Sequence, residues 1–211
     1  VRLAMQFLRT RISDDPSQNI LANGLEQLEI VATRFENIQE MTAGDRAVFA
    51  ELRLRDIVAQ VLASFENSLA ANSIAVERAF QDNLPNIQGD ARQLRLLLKN
   101  LLLNAMEAMQ PLGGRLRLSA SIDTHQNDLV LSVEDSGGGI PPDVRTKIFQ
   151  PYQSFQSGGG PGLGLAVCQR IASAHGGRIE LFTSLGEGST FVVRLSLDAS
   201  LSKPHTSEAA P

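Results

Sequence analysis

The sequence contains one cysteine, Cys168, so no internal disulfide can form. No grouping of Cys and His has the spacing of a zinc site. Both absences fit a reducing compartment, and a cytoplasmic location is expected. Long apolar runs are missing too. The richest stretch, 94–103, is interrupted by Arg95, Lys99 and Asn100, far short of the roughly 18 apolar residues that mark a membrane span. This segment is therefore expected to make no membrane contact. Nor is there an excess of positive charge: 19 Lys and Arg stand against 23 Asp and Glu, for a formal net charge of -4. No basic field draws the chain to nucleic acid, which is not expected as a partner. No internal repeat is visible. The chain opens on Val1 without a basic and apolar secretory pattern, and reads as part of a longer protein whose membrane anchor, if it has one, would lie upstream.

What is present suits a globular protein of one or two domains, with 43% hydrophobic and 20% charged residues. Val1, Met5, Leu8 and Ile12 recur at helical spacing, as do Leu21, Leu25, Leu28, Val31, Phe35 and Ile38. Ser13-Asp14-Asp15-Pro16-Ser17 separates the two patterns, so 1–43 is expected to form a helical hairpin. Two helices bury little alone. They can complete a core either as a homodimeric four-helix bundle or by packing on the rest of the chain. Beyond Gly44-Asp45, helices are expected over 54–71, 90–109, 141–149 and 163–175, with strands over 74–80, 114–123, 127–135, 178–184 and 189–197. That alternation marks a layered α+β domain over 45–198. The last residues, 199–211, lack periodicity and read as a disordered tail.

Four segments stand out chemically. At 100° per residue, Asn100, Asn104 and Glu107 fall within about 60° of one another on the helix expected over 90–109. They form a stripe between a broad leucine face and a basic face of Arg92, Arg95 and Lys99. The stripe is either a solvated side or a site, and two mid-helix asparagines have poor helix propensity. In Glu134-Asp135-Ser136-Gly137-Gly138-Gly139-Ile140, only Asp135 continues the apolar strand face of Leu129, Leu131 and Val133. It reads as an ordinary Asp-Gly turn or as a carboxylate at a pocket edge, able to accept from an exocyclic amine. Ser157-Gly158-Gly159-Gly160-Pro161-Gly162-Leu163-Gly164-Leu165 runs into a helix whose backbone N–H groups can hold phosphate, after a loop long enough to act as a lid. It lacks the Gly-Lys-Ser/Thr of a Walker loop. Gly186-Glu187-Gly188-Ser189-Thr190-Phe191 by itself reads as a hairpin turn. Of the histidines, His175 falls at a helix end, where an imidazolium would suit the helix dipole, and none looks catalytic. Cys168 falls in a mostly apolar helix and reads as core.

Taken in order, Asn100-xxx-Asn104, Asp135-x-Gly137-x-Gly139, Gly160-x-Gly162-x-Gly164 and Gly186-x-Gly188-Ser-Thr-Phe191 resemble the N, G1, G2 and final glycine boxes of sensor histidine kinases. Residues 147–155 look like the intervening F box, and 1–43 looks like the remainder of the dimerisation and phosphotransfer hairpin. The resemblance implies an α+β, two-layer α/β sandwich, the Bergerat ATP-binding fold, with a mixed sheet backed by helices. It implies ATP and Mg²⁺ as cofactors, a homodimer formed through the hairpin, and a response regulator receiver domain as partner. Asn104 would hold the Mg²⁺ with support from Asn100, and Glu107 would orient metal-bound water or the acceptor. Asp135 would accept from the adenine amino group, with Gly137 and Gly139 admitting the base. Gly160, Gly162 and Gly164 would close over the triphosphate with Leu163 and Leu165 anchoring the helix behind, and Ile140 and Thr190 join the nucleotide-binding set.

Two departures from the family pattern matter. No His occurs in 1–43, so the phosphorylated histidine is expected upstream of Val1, and the chain as it stands is expected to bind ATP without phosphorylating itself. After the F box, Gln153-Ser154-Phe155 replaces the Thr-Thr-Lys often seen there, leaving the γ-phosphate without an evident contact. Hydrolytic relatives carry a water-activating glutamate where this chain has Asn100, which favours transfer over hydrolysis. A silent pseudokinase that only dimerises is the remaining alternative.

Overall fold

The computed structural model describes residues 15–42, 47–153 and 162–198. The first helix expected for the hairpin and the expected tail lie outside the described residues. Helix α1 (Asp15–Thr42) takes Pro16 into its first turn, where a missing N–H leaves no helical bond unmade. After it come β1 (Ala50–Leu52), α2 (Leu54–Ala71), β2 (Ile74–Phe80), β3 (Ile87–Gly89) and α3 (Ala91–Ala108). The chain continues through β4 (Gly114–Asp123), β5 (Asp128–Asp135), α4 (Pro142–Arg145), α5 (Gly164–Ala174), β6 (Arg178–Ser184) and β7 (Gly188–Ser196).

Most elements fall within a residue or two of their expected bounds. Expected helix 141–149 is an exception, since α4 stops at Arg145 and the chain continues in tight turns from Lys147 N–H to Val144 and from Gln150 N–H to Lys147. The antiparallel pair β1–β3 was not expected, because three residues per strand are too few for an alternation to register.

The main sheet has the order β2-β4-β5-β7-β6, with β2 parallel to β4 and the other neighbours antiparallel. Its register aligns Leu118 with Val133 and Phe191, and Ala120 with Leu131 and Val193. These rows are buried under α2, α3 and α5, whose Phe65, Leu97, Leu101, Val167 and Ile171 complete the core. The result is the two-layer mixed α+β architecture that the motifs imply. Cys168 belongs to this core, its Sγ donating to the Leu97 carbonyl at 3.5 Å, and burial pushes its thiol pKa far up.

One polar knot ties the start of α3 to the end of α5. Asp90 caps α3 by accepting from Arg92 N–H at 2.8 Å and Gln93 N–H at 3.1 Å, while its second oxygen accepts from Val48 N–H at 2.8 Å. Burial by itself would raise the Asp90 carboxyl, but the N–H donors of Val48, Gln93 and Arg92 outweigh it and hold it below the usual carboxylate range. Asp90 N–H donates to His175 Nε2 at 3.0 Å, so that nitrogen keeps its lone pair and Nδ1 carries the hydrogen donated to Ile171 O at 2.8 Å. His175 is thus a buried neutral imidazole stacked near Phe49, which corrects the expected imidazolium; burial lowers its pKa below 6.5.

Because His175 is harder to protonate folded than unfolded, its contribution is complete above the unfolded pKa and is lost as pH falls from about 6.5 toward the lowered folded value. Urea unfolding at pH 7.5 and 5.5 tests this. The wild-type domain is expected to lose stability between them, whereas His175→Gln starts about 1–3 kcal/mol lower and shows a smaller drop.

Candidate functional site

Helix α3 positions the first part of the site because it is buried on more than its leucine face. Leu97, Leu98, Leu101 and Leu102 face the core, and Asn100 is also buried, at 3% exposure. The amide of Asn100 is fully engaged. It accepts from Asn37 Nδ2 at 2.8 Å, donates to Asn37 Oδ1 at 2.7 Å and donates to Leu96 O at 3.0 Å. One turn on, Asn104 has a buried Nδ2 with no hydrogen-bond partner among the described residues. Glu107 follows on the same stripe, its carboxyl raised by burial against the opposing pull of Arg34.

Strand β5 supplies the second part. Asp135, 3% exposed, stands in register with Leu116 on one side and Ser189 on the other, at the end of the apolar row. Burial raises its pKa, Gly137 and Ser189 N–H groups oppose that shift, and neighbouring Glu134 adds to it. Gly137 N–H donates to Asp135 Oδ1 at 2.8 Å, folding the chain back under the Ala108 carbonyl. Gly139, at φ +71°, has a left-handed backbone, and a β-carbon there would strike the Ser184 carbonyl. The loop is then held by Ile140 N–H donating to Thr183 Oγ1 at 2.9 Å.

The start of α5 closes the third side. A β-carbon on Gly164 would lie 2.9 Å from Asn100 Oδ1, so a glycine allows the helix to begin against α3. Leu163 precedes this helix without a side-chain cap, which leaves the N–H groups of its first turn without that partner.

Asn100, Asn104, Glu107, Asp135, Gly139, Ile140, Gly162, Leu163, Gly164 and Leu165 all line one cavity of about 340 Å³, within the usual size range of a small-molecule site. Gly137 stands just behind it, and Gly160 lies outside the described residues. Thr190 is a correction: it pairs with Glu134 on the opposite sheet face, and alternation brings Ser189 and Phe191 to the cavity instead. The sequence reading also missed Ile30, Thr33, Arg34 and Asn37 of α1, which form a further wall. A signal for them existed in the buried polar series Glu29, Thr33, Asn37 and Glu40, at spacings of four, four and three.

The raised pKa of Asp135 has a sign that can be measured. A carboxyl with a raised folded pKa stabilises the fold below the unfolded value, and that contribution is lost as pH rises. Asp135→Asn keeps the shape and an acceptor oxygen while removing the buried charge. At pH 7 this variant is expected to unfold at a higher urea midpoint than wild type, with the gap closing as pH falls toward the unfolded value of about 3.9.

Residues 89–199 match the family described as histidine kinase-, DNA gyrase B-, and HSP90-like ATPase. The alginate biosynthesis sensor protein KinB of Pseudomonas aeruginosa is 30% identical over 205 residues, covering 92% of this chain and 34% of KinB. The chain spans less than half the length of such curated relatives. Among solved structures, the catalytic domain of the histidine kinase ThkA superposes with a TM-score of 0.65 at 25% identity, over 73% of this chain and 99% of that one. ThkA in complex with the response regulator protein TrrA matches with a TM-score of 0.66 at 24% identity, over 92% and 55%. Full-length ShkA in complex with AMPPNP matches with a TM-score of 0.66 at 26% identity, over 87% and 38%. With the boxes gathered around one cavity and this match spanning them, the chain belongs to the histidine kinase-, DNA gyrase B- and HSP90-like ATPase family.

Proposed function

We propose that the cavity between α3, β5 and α5 binds Mg²⁺-ATP and that the protein transfers its γ-phosphoryl group to a histidine, for relay to an aspartate of a response regulator receiver domain. The observation that carries this reading is the convergence of Asn104, Asp135 and the start of α5 on one cavity, with the buried Nδ2 of Asn104 lacking a partner among the described residues.

The residues fit the metal in a specific way. Among the described residues no group of three or more His, Cys, Asp or Glu side chains could cage an ion. A side-chain oxygen from Asn104 together with phosphate oxygens and water is the donor set that Mg²⁺ favours in phosphoryl-transfer sites. When bound there, the ion supplies charge neutralisation between the phosphates.

Each remaining role follows from placement. Asp135 as carboxylate accepts from the adenine amino group, and its burial excludes competing water. The uncapped N–H groups at the start of α5 face the phosphates without requiring a side-chain charge. Glu107, one turn from Asn104, orients the acceptor. Asn100 occupies the position of the water-activating glutamate of hydrolytic relatives, and its amide, engaged with Asn37 and Leu96, cannot act as a base. Homodimer formation is supported by the stripe of Val31, Phe35 and Ile38 on α1, exposed by 60%, 59% and 47%.

Labelling the full-length protein with γ-labelled ATP tests the reading. Acid-labile, base-stable label on protein is expected, and Asn104→Asp is expected to lower it at least about 100-fold. Free phosphate without protein label would identify a hydrolase instead. Neither product would leave a binding module.

A further inference from the structure

The nucleotide cavity has a wall that none of the motif boxes contributes. Helix α1 runs antiparallel to α3: Glu40 accepts from Gln93 Nε2 at 2.8 Å and pairs with Arg92 at 2.9 Å, Asn37 meets Asn100, and Lys99 pairs with Glu29 at 3.0 Å and Glu36 at 3.3 Å. One helical turn from the Asn37–Asn100 pair, four residues back along α1 is Thr33 and four residues on along α3 is Asn104. Both carry an orphaned group. Thr33 is 0% exposed, and its Oγ1, like Asn104 Nδ2, has no hydrogen-bond partner among the described residues. A helical threonine can usually satisfy its hydroxyl on the preceding turn, and here it does not. Both residues line the cavity.

Arg34 lines it as well, beside Thr33. Among the described lining residues it is the one cation, its charge acting on the Glu107 carboxyl, and no hydrogen bond fixes its guanidinium to a described residue. The lid sequence cannot supply a substitute. From Ile148 to Leu163 there is no Lys, Arg or His. A triphosphate brought into this cavity would otherwise meet two carboxyls and backbone N–H groups, with no protein cation at its far end.

We infer that α1 completes the phosphate end of the nucleotide site, with the Arg34 guanidinium binding the terminal phosphate and the Thr33 hydroxyl hydrogen-bonding beside Asn104. This rests on the proposed nucleotide reading and adds a consequence to it. The distinction between nucleoside triphosphate and diphosphate is made by the helix outside the catalytic domain, so triphosphate binding depends on α1 being docked. Arg34 is suited to the role because its planar fork meets two phosphate oxygens at once.

The test measures binding of AMPPNP and of ADP, each with Mg²⁺, to the full-length protein by calorimetry. Wild type is expected to favour AMPPNP. Arg34→Ala is expected to weaken AMPPNP at least tenfold and ADP less than twofold, erasing the preference, and Arg34→Lys to restore part of it. Thr33→Val, which keeps the buried shape, is expected to weaken AMPPNP more than ADP. If Arg34→Ala leaves the AMPPNP to ADP ratio at the wild-type value while Asp135→Asn loses both nucleotides, the site stands and the role of α1 falls. If Asp135→Asn binds both nucleotides as wild type does, the nucleotide reading falls and this inference falls with it.

Discussion

The burial of α3 on several sides at once is the constraint on which the rest of the structure depends. An amphipathic helix on a two-layer domain ordinarily needs one apolar stripe. Here Leu97 and Leu101 pack into the core while Asn100, on an adjoining face, is also sealed from solvent. A buried amide demands partners for each donor and acceptor, and the reciprocal pair with Asn37 plus the Leu96 carbonyl provides them. That requirement brings α1 onto the domain and lets α5 begin at Gly164 against the same side chain. The cavity is what remains where the three helices and the end of β5 do not meet.

The contact between α1 and α3 inverts the usual arrangement. Glu29, Thr33, Asn37 and Glu40 are buried on the domain, whereas Val31, Phe35 and Ile38 face outward. The buried charges are tolerable because they are matched: Glu40 by Arg92 and Gln93, and Lys99 by Glu29 and Glu36. Polar contacts of this kind depend on geometry and solvent access more than an apolar seam does. The polar face thus packs on the domain, while Val31, Phe35 and Ile38 are left exposed among the described residues.

Asp135 and His175 show how burial assigns protonation within one fold. Asp135 has two backbone donors and a carboxylate neighbour, and desolvation prevails, raising its pKa. Asp90 has three backbone donors, and they prevail over desolvation. His175 lends its lone pair to the Asp90 N–H and so is held neutral. Asp90 and His175 are structural groups whose preferred states serve the fold. Asp135 carries a desolvation cost that its two backbone donors do not offset.

How much could be read in advance follows from the range of the interactions involved. The bounds of α2, α3, β4, β5 and β7 were legible because each is long enough for a period of 3.6 or 2 to repeat, and Asp135 was legible because it continues the apolar parity of Leu129, Leu131 and Val133. The glycine clusters and the Asn100–Asn104 spacing were legible as local patterns. Strands β1 and β3 were not, being three residues each, and Thr190 was mistaken for a cavity residue where alternation selects Ser189. By itself, then, the sequence determined the longer helices and strands, the buried face of each inner strand and which polar and glycine residues stand out in the boxes. Only the tertiary structure decided that Asn100 is bonded to Asn37, that His175 is neutral and that Thr33 and Arg34 line the cavity. Each of these depends on a partner 63 or more residues away in the chain, or on the packing of α1 against α3, and periodicity records which face is buried but not what is buried against it.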